Sequence, residues 1–237
     1  MLVLGIDSAT RVAGAAIVDE QQVIAEVFFN TRKNHSQRLL PMIDAMLREA
    51  GVKLADLDGL AVALGPGSFT GLRIGLATVK GLAHAAHKPV AGIPTLDGLA
   101  WNAWEVPGLV CPVLYARRQE VYTALYRWQE GELCRLTPYQ ALAPHSLVVL
   151  LNSCTQPVYF CGDGVAPYWE VWQQLSTRVH LLPSTATLPR AAQIARLGKE
   201  RLLAGKGDDL FQLKPLYLRP SPAETQQPSP LKCTSCP

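Results

Sequence analysis

Leu60-Ala61-Val62-Ala63-Leu64-Gly65-Pro66-Gly67-Ser68-Phe69-Thr70-Gly71-Leu72-Arg73-Ile74-Gly75 is a wholly apolar run that ends in a glycine-rich turn and continues into a helical pattern. The run reads as a short strand buried on both faces. Thr70 to Ala86 then reads as a helix, whose first turn Ser68 or Thr70 caps by accepting a bond from an orphan backbone N–H. Gly65 and Gly67 permit positive φ and close backbone approach. A loop of this kind at a helix N-terminus is a ready anion cradle. The same glycines serve a tight turn equally well, with Gly71 and Gly75 presenting a flat face where another helix can approach. The residues leave both readings open. The lysine of the GxxxxGK[ST] motif is absent, which excludes a phosphate-loop NTPase.

Upstream, Leu2 to Ile6, Val12 to Val18 and Val23 to Phe29 are apolar or β-branched and separated by polar turn residues, the pattern of a β-meander. Ser36 to Ala50 changes to helical spacing, with Gly51 as a stop and Pro41 near the start, where a helix tolerates it. Val90 to Ile93 is the next strand. The order βββαβα followed by a strand predicts an α/β fold with a mixed sheet and helices packed on it. Beyond it, Val110 to Tyr115 and Val121 to Trp128 read as paired strands and Val158 to Cys161 as a strand running into Gly162-Asp163-Gly164. Ala166 to Leu175 and Pro189 to Ala204 read as helices. Similar ingredients in both halves predict a duplicated fold with lobes at 1–104 and 105–219; two unrelated α/β units are the alternative. From Pro220 to Pro237 the chain is rich in Pro, Ser, Gln and Thr and is expected to be disordered.

Apolar residues make up 49% of the 237-residue chain and charged residues 17%, the composition of an ordinary globular protein. A net charge of +3 and the lack of any long basic run argue against a large nucleic-acid footprint. The N-terminus has no basic flank and meets Asp7 early, so it does not read as a signal peptide. No apolar run reaches the roughly 18 residues of a membrane span, and a cytoplasmic protein is expected. Cys111, Cys134, Cys154 and Cys161 are scattered among apolar residues, as buried free thiols are. Cys233 and Cys236 form a lone CxxC, too few ligands for structural zinc.

The turn Gly5-Ile6-Asp7-Ser8-Ala9-Thr10 places an acid and two hydroxyls between strands. It suits either a phosphate-and-metal turn or an Asx turn bonded to its own backbone. With His35-Ser36 leading into Leu39-Leu40-Pro41, Ala116-Arg117-Arg118-Gln119-Glu120-Val121-Tyr122, Leu216-Tyr217-Leu218-Arg219, and Lys80-Gly81-Leu82-Ala83 after the glycine-rich loop, the chain resembles the TsaB (YeaZ) family over roughly residues 1–219. The resemblance implies an actin-like, ribonuclease-H-type fold in two lobes. It implies a non-catalytic subunit that binds a TsaD-like transferase, with a TsaE-like ATPase, for threonylcarbamoylation of the adenosine beside the tRNA anticodon. It also implies a homodimer when the partner is absent, and tRNA contact that is at most indirect or weak.

Several further expectations follow. Transferases of the TsaD type hold metal through histidines spaced i, i+4; here His35 stands at the first place and Leu39 at the second, so neither metal nor cofactor is expected. His84 and His87 lie near a helix C-terminus, where imidazolium complements the helix dipole. Asp7, Ser8, Thr10, Gly65, Gly67 and Ser68 are candidates for a vestigial phosphate loop. Arg117, Arg118 and Glu120 sit in an expected hairpin turn, where exposed charges are commonly solvated; the family often has an aspartate where Tyr115 stands. Leu39, Leu40, Ile43, Met46 and Leu47 on one helix and Gly71, Gly75 and Thr78 on the next are candidates for the partner interface, the alternative being packing under the second lobe. An ATP-dependent small-molecule kinase of the same superfamily is the competing function, with Gly162-Asp163-Gly164 as its one candidate nucleotide grip. A zinc protease lacks its HExxH motif.

Overall fold

The computed structural model describes residues 1–30, 35–117 and 119–219. The first sheet is built from β1 (Val3–Asp7), β2 (Val12–Val18), β3 (Val23–Asn30), β4 (Gly59–Gly65) and β5 (Val90–Pro94), in the order β3-β2-β1-β4-β5. β1 pairs antiparallel with β2 and parallel with β4, so the meander and the crossover strands meet at β1. The helices α1 (His35–Glu49) and α2 (Phe69–Ala86) cover one face, where Leu39, Ile43, Met46 and Val79 join Leu4, Ile6 and Val62 in one core. This is the expected actin-like lobe.

After α3 (Thr95–Ala100) the chain builds a second sheet from β6 (Leu109–Ala116), β7 (Glu120–Thr123), β8 (Tyr126–Gln129), β9 (Glu132–Arg135), β10 (Gln140–Leu142), β11 (Val158–Cys161) and β12 (Val179–Leu181). Val121 to Trp128, which reads as one strand, is two. Its first part pairs with the end of β6 and its second with the start, the switch falling at buried Ala124 and Leu125. Ala166 to Leu175 yields only α5 (Trp169–Trp172), because Pro167 holds a 3₁₀ turn ahead of it. α4 (Pro144–Asn152) has no clear sequence signal: Val148, Val149 and Leu150 form an unbroken apolar run although Val149 is exposed.

The last helix, α6 (Ala191–Leu203), returns to the first sheet on the face opposite α1 and α2. A Cβ on Gly5 would meet Ala195 N at 2.5 Å, and one on Gly198 would meet the Ala61 side chain at 2.3 Å, so both elements must be bare there. A C-terminal strap then crosses the sheet edge. Asp208 N–H donates to Val90 O at 2.8 Å, Asp208 Oδ2 accepts from Gly92 N–H at 2.7 Å, and Leu216 N–H donates to Leu64 O at 2.7 Å. A split at residue 104 therefore does not follow the packing, because α6 and the strap complete the first lobe.

Burial divides the α1 residues expected at an interface. Leu39 and Ile43 are each 1% exposed and Met46 6%, all packed in the chain's own core, whereas Leu40 is 52% exposed. Leu39→Glu should lose at least the roughly 2–5 kcal/mol of emptying such a site. Leu40→Glu should change stability by no more than about 0.5 kcal/mol. Urea unfolding of both variants checks this, and equal midpoints would contradict the assignment.

Candidate functional site

The β1–β2 turn and the start of α2 are brought together, as the sequence implies, but they meet each other directly. Ser68 N–H donates to Ala9 O at 2.7 Å, and the Ser8 hydroxyl donates to Gly71 O at 2.8 Å. Ser68 Oγ accepts from Gly71 N–H at 3.3 Å and so caps α2. A Cβ on Gly67 would lie 2.3 Å from Ala9 O, on Gly71 2.1 Å from Ser8 O, and on Gly75 2.3 Å from Ser8 Oγ. The glycines therefore provide close approach, and what approaches is the protein's own turn. Gly71 and Gly75 are buried and form no outward face, which corrects their expected place at an interface. Thr78 is half-buried, and its hydroxyl donates to Ile74 O within α2.

Asp7 is buried, with Oδ1 accepting from Ala9 N–H at 2.9 Å as an Asx turn does. Thr10 Oγ1 accepts from Val12 N–H at 3.1 Å, and the Thr10 carbonyl lies 2.8 Å from His35 Nε2. His35 is thus tied to the turn, and Leu39 points into the core. Among the described residues, no group of three or more His, Cys, Asp or Glu is arranged to hold a metal.

The family-like segments at Glu120 and Leu216–Arg219 are also joined. Tyr217 stacks on Phe69 at 5.0 Å and accepts from Arg73 Nε at 3.2 Å, while the Arg73 guanidinium lies 3.9 Å over the Phe69 ring. Arg219 pairs with Glu120. This clamp between α2, the strap and the second lobe carries no local sequence signal, because its members are far apart along the chain. Likewise Thr95, whose Oγ1 accepts from Gly65 N–H at 3.0 Å, is invisible in the sequence. Arg117 is exposed in the turn after β6, and Arg118 lies outside the described residues, as do Cys233, Cys236 and the rest of the tail.

The remaining candidates are structural. His84 packs edge-on to Phe211, and His87, at φ 54°, ends α2 in the left-handed conformation. Gly162 and Gly164 lie against β6, where Cβ atoms would come within 2.3 Å and 2.9 Å of its backbone. Asp163 between them accepts from Tyr115 N–H at 2.9 Å. Cys111 and Cys161 are buried free thiols, and burial pushes Cys111 up to about 12; Cys134 and Cys154 are half-buried. No helix among the described residues is long and apolar enough to cross a membrane.

Burial raises Asp7 from 3.8 to about 6 against the opposing bond from Ala9 N–H. Between about pH 4 and 6 the unfolded chain releases this proton while the folded chain keeps it, so stability falls as pH rises through that window. The total is on the order of 3 kcal/mol, at about 1.4 kcal/mol per pH unit. Asp7→Asn keeps the acceptor and removes the titration. Its thermal stability relative to the parent should rise from pH 4 to pH 7, whereas parallel curves would contradict the buried acid.

Residues 22–226 match the family model described as TsaD: tRNA N6-adenosine threonylcarbamoyltransferase. The tRNA threonylcarbamoyladenosine biosynthesis protein TsaB of Bacillus subtilis is 34% identical, over 95% of this chain and 97% of its own. Its namesake in Escherichia coli is 32% identical, over 92% and 95%. The solved structure of YeaZ from Pseudomonas aeruginosa is 31% identical and superimposes with a TM-score of 0.79, covering 92% of this chain and 99% of that one. Both of these curated relatives match along nearly their whole length and bear the TsaB name. The chain belongs to the TsaB (YeaZ) family.

Proposed function

We propose that this protein is a non-catalytic subunit that binds and supports a TsaD-like transferase during threonylcarbamoylation of tRNA in the cytoplasm. The observation that carries this reading is the direct contact between the β1–β2 turn and the start of α2. These two stretches are the ones the sequence offers as a phosphate loop. Here the Ser68 N–H is already bonded to Ala9 O, and the Gly67 and Gly71 positions press on the turn without room for a methyl group. A phosphate entering there would have to break backbone hydrogen bonds and separate packed elements. The Gly162-Asp163-Gly164 turn, the candidate grip of the kinase alternative, is likewise packed on β6.

With the cradle closed, the activity lies in binding. The surface that fits is the outer side of α1 and α2, where Leu40 is exposed, Leu47, Ile74 and Thr78 are half-buried, and a Cβ on Gly81 would meet nothing within 4 Å. This shifts the interface outward from the stripe of Leu39, Ile43 and Met46. Small and apolar groups together let a partner's helices approach closely. In the absence of the transferase the same face pairs two copies of this chain, and a TsaE-like ATPase acts on the assembled pair. Resemblance to the family supports these last two assignments.

Size-exclusion chromatography with light scattering, on this protein alone and mixed with the TsaD-like subunit of the same source, tests the proposal together with reconstituted tRNA modification. A mixed complex whose activity needs both proteins is the expected result. Leu40→Glu should remain folded and weaken the complex about tenfold or more, as truncating a central apolar anchor does. A parent protein that ignores the transferase, or hydrolyses ATP by itself, would sink the reading.

A further inference from the structure

On the sheet face opposite α1 and α2, the start of α6 and the loops at the lobe junction border a shallow, open cleft of about 400 Å³ lined by Trp101, Asn102, Trp104, Arg190, Gln193 and Arg196. That volume suits a ligand of small-molecule size. Two indoles line it, and Trp128 packs on both, edge-on to Trp101 at 4.6 Å and 4.8 Å from Trp104. The Arg196 guanidinium lies 3.6 Å over the Trp101 ring, and Arg190 lies 5.5 Å over Phe28 of β3.

Trp104 is 59% exposed, although the loop that carries it is firmly held. Trp128 Nε1 donates to Ala103 O at 2.5 Å, and Asn102 Nδ2 donates to Ala186 O at 3.1 Å and Leu188 O at 2.8 Å. Ala103 itself is 1% exposed. Trp101 and Trp128 pack on this indole, and the rest of it is a fixed apolar surface open to solvent.

The charges are paired at their edges. Arg190 Nε reaches both carboxylate oxygens of Glu26 at 3.1 Å, and Arg196 Nη2 bonds Glu200 Oε1 at 2.8 Å. Each guanidinium is also laid over an aromatic ring, so the surface most open to a ligand is the Trp104 indole, which suits a flat π-system better than a phosphate chain. We propose that this cleft takes an unpaired base of an RNA strand, stacked on Trp104 beside the Arg196–Trp101 pair. The choice of RNA rests on the reading that this chain works in tRNA modification. The cleft and the α1/α2 surface lie on opposite faces of one sheet, so both can be occupied together.

The test is a fluorescence-anisotropy titration of the full chain into short fluorescein-labelled single-stranded RNA, with Trp104→Ala and Arg196→Ala in parallel and at two salt concentrations. Trp104→Ala should raise Kd at least about fivefold, the lower range for loss of one base stack. Salt dependence should be shallower than that of a protein gripping several phosphates. No binding by the parent, or equal binding by Trp104→Ala, would overturn the proposal; so would Trp104-dependent binding of a proline-rich peptide without RNA binding. Light scattering with the transferase on the same samples separates the two readings. Trp104-dependent RNA binding without a transferase complex would uphold the stacking site and sink the partner reading, and the opposite pattern would do the reverse.

Discussion

Everything in the first lobe is arranged around the contact between Ser8, Ala9 and the glycine side of α2. At three successive places a side chain larger than hydrogen would collide with the turn. The contact sets how deeply α2 sits on the sheet, and that depth lets Leu76 and Val79 reach the core shared with α1. It also seals Asp7 away from water, which is why that carboxyl holds its proton far above the usual range. His35 is drawn in as well, through the Thr10 carbonyl, and so the start of α1 is referenced to the same turn. A loop shape elsewhere associated with anions is here a joint between elements.

The proposed function and the proposed base site use two surfaces. One is the outer side of α1 and α2, where Leu40 is exposed. The other is the tryptophan-rich cleft beside α6. The sheet lies between them, with Gly5, Gly14, Ala61 and Ala91 where α6 comes closest, so the two sides are only one sheet apart. Under the proposed function, such a subunit joins a protein on one side and an RNA strand on the other.

The meander, the crossover helices and the parallel strands were legible because each has a clean period and a clear stop. Gly51 ends α1, and the Gly65–Ser68 turn separates a buried strand from a capped helix. The α1 stripe was also legible as apolar, but a stripe does not say which molecule it faces; only the positions of Leu57 and Val79 in the core show that Leu39 turns inward. The glycines were legible as sites of close approach, not as to what approaches. Elements that failed to show lacked a period, as in the apolar run of α4. Contacts that failed to show joined distant residues: Arg73 to Tyr217, Glu120 to Arg219, Glu26 to Arg190. A division of the chain at its midpoint missed α6 for the same reason, since nothing in its own pattern tells which sheet an amphipathic helix will cover.

The return of α6 and the strap to the first sheet bears on the order in which the protein is made. Domains generally fold as units during synthesis, the N-terminal one first. Here the first sheet stays uncovered on its α6 face, and its β5 edge stays bare, until the ribosome has translated the whole second lobe. The strand Val90–Pro94 must wait for Asp208, and the end of β4 for Leu216. The first lobe is therefore finished after the second, and a chain cut short anywhere before the strap leaves behind an incomplete first lobe with an open sheet edge, a ready template for aggregation.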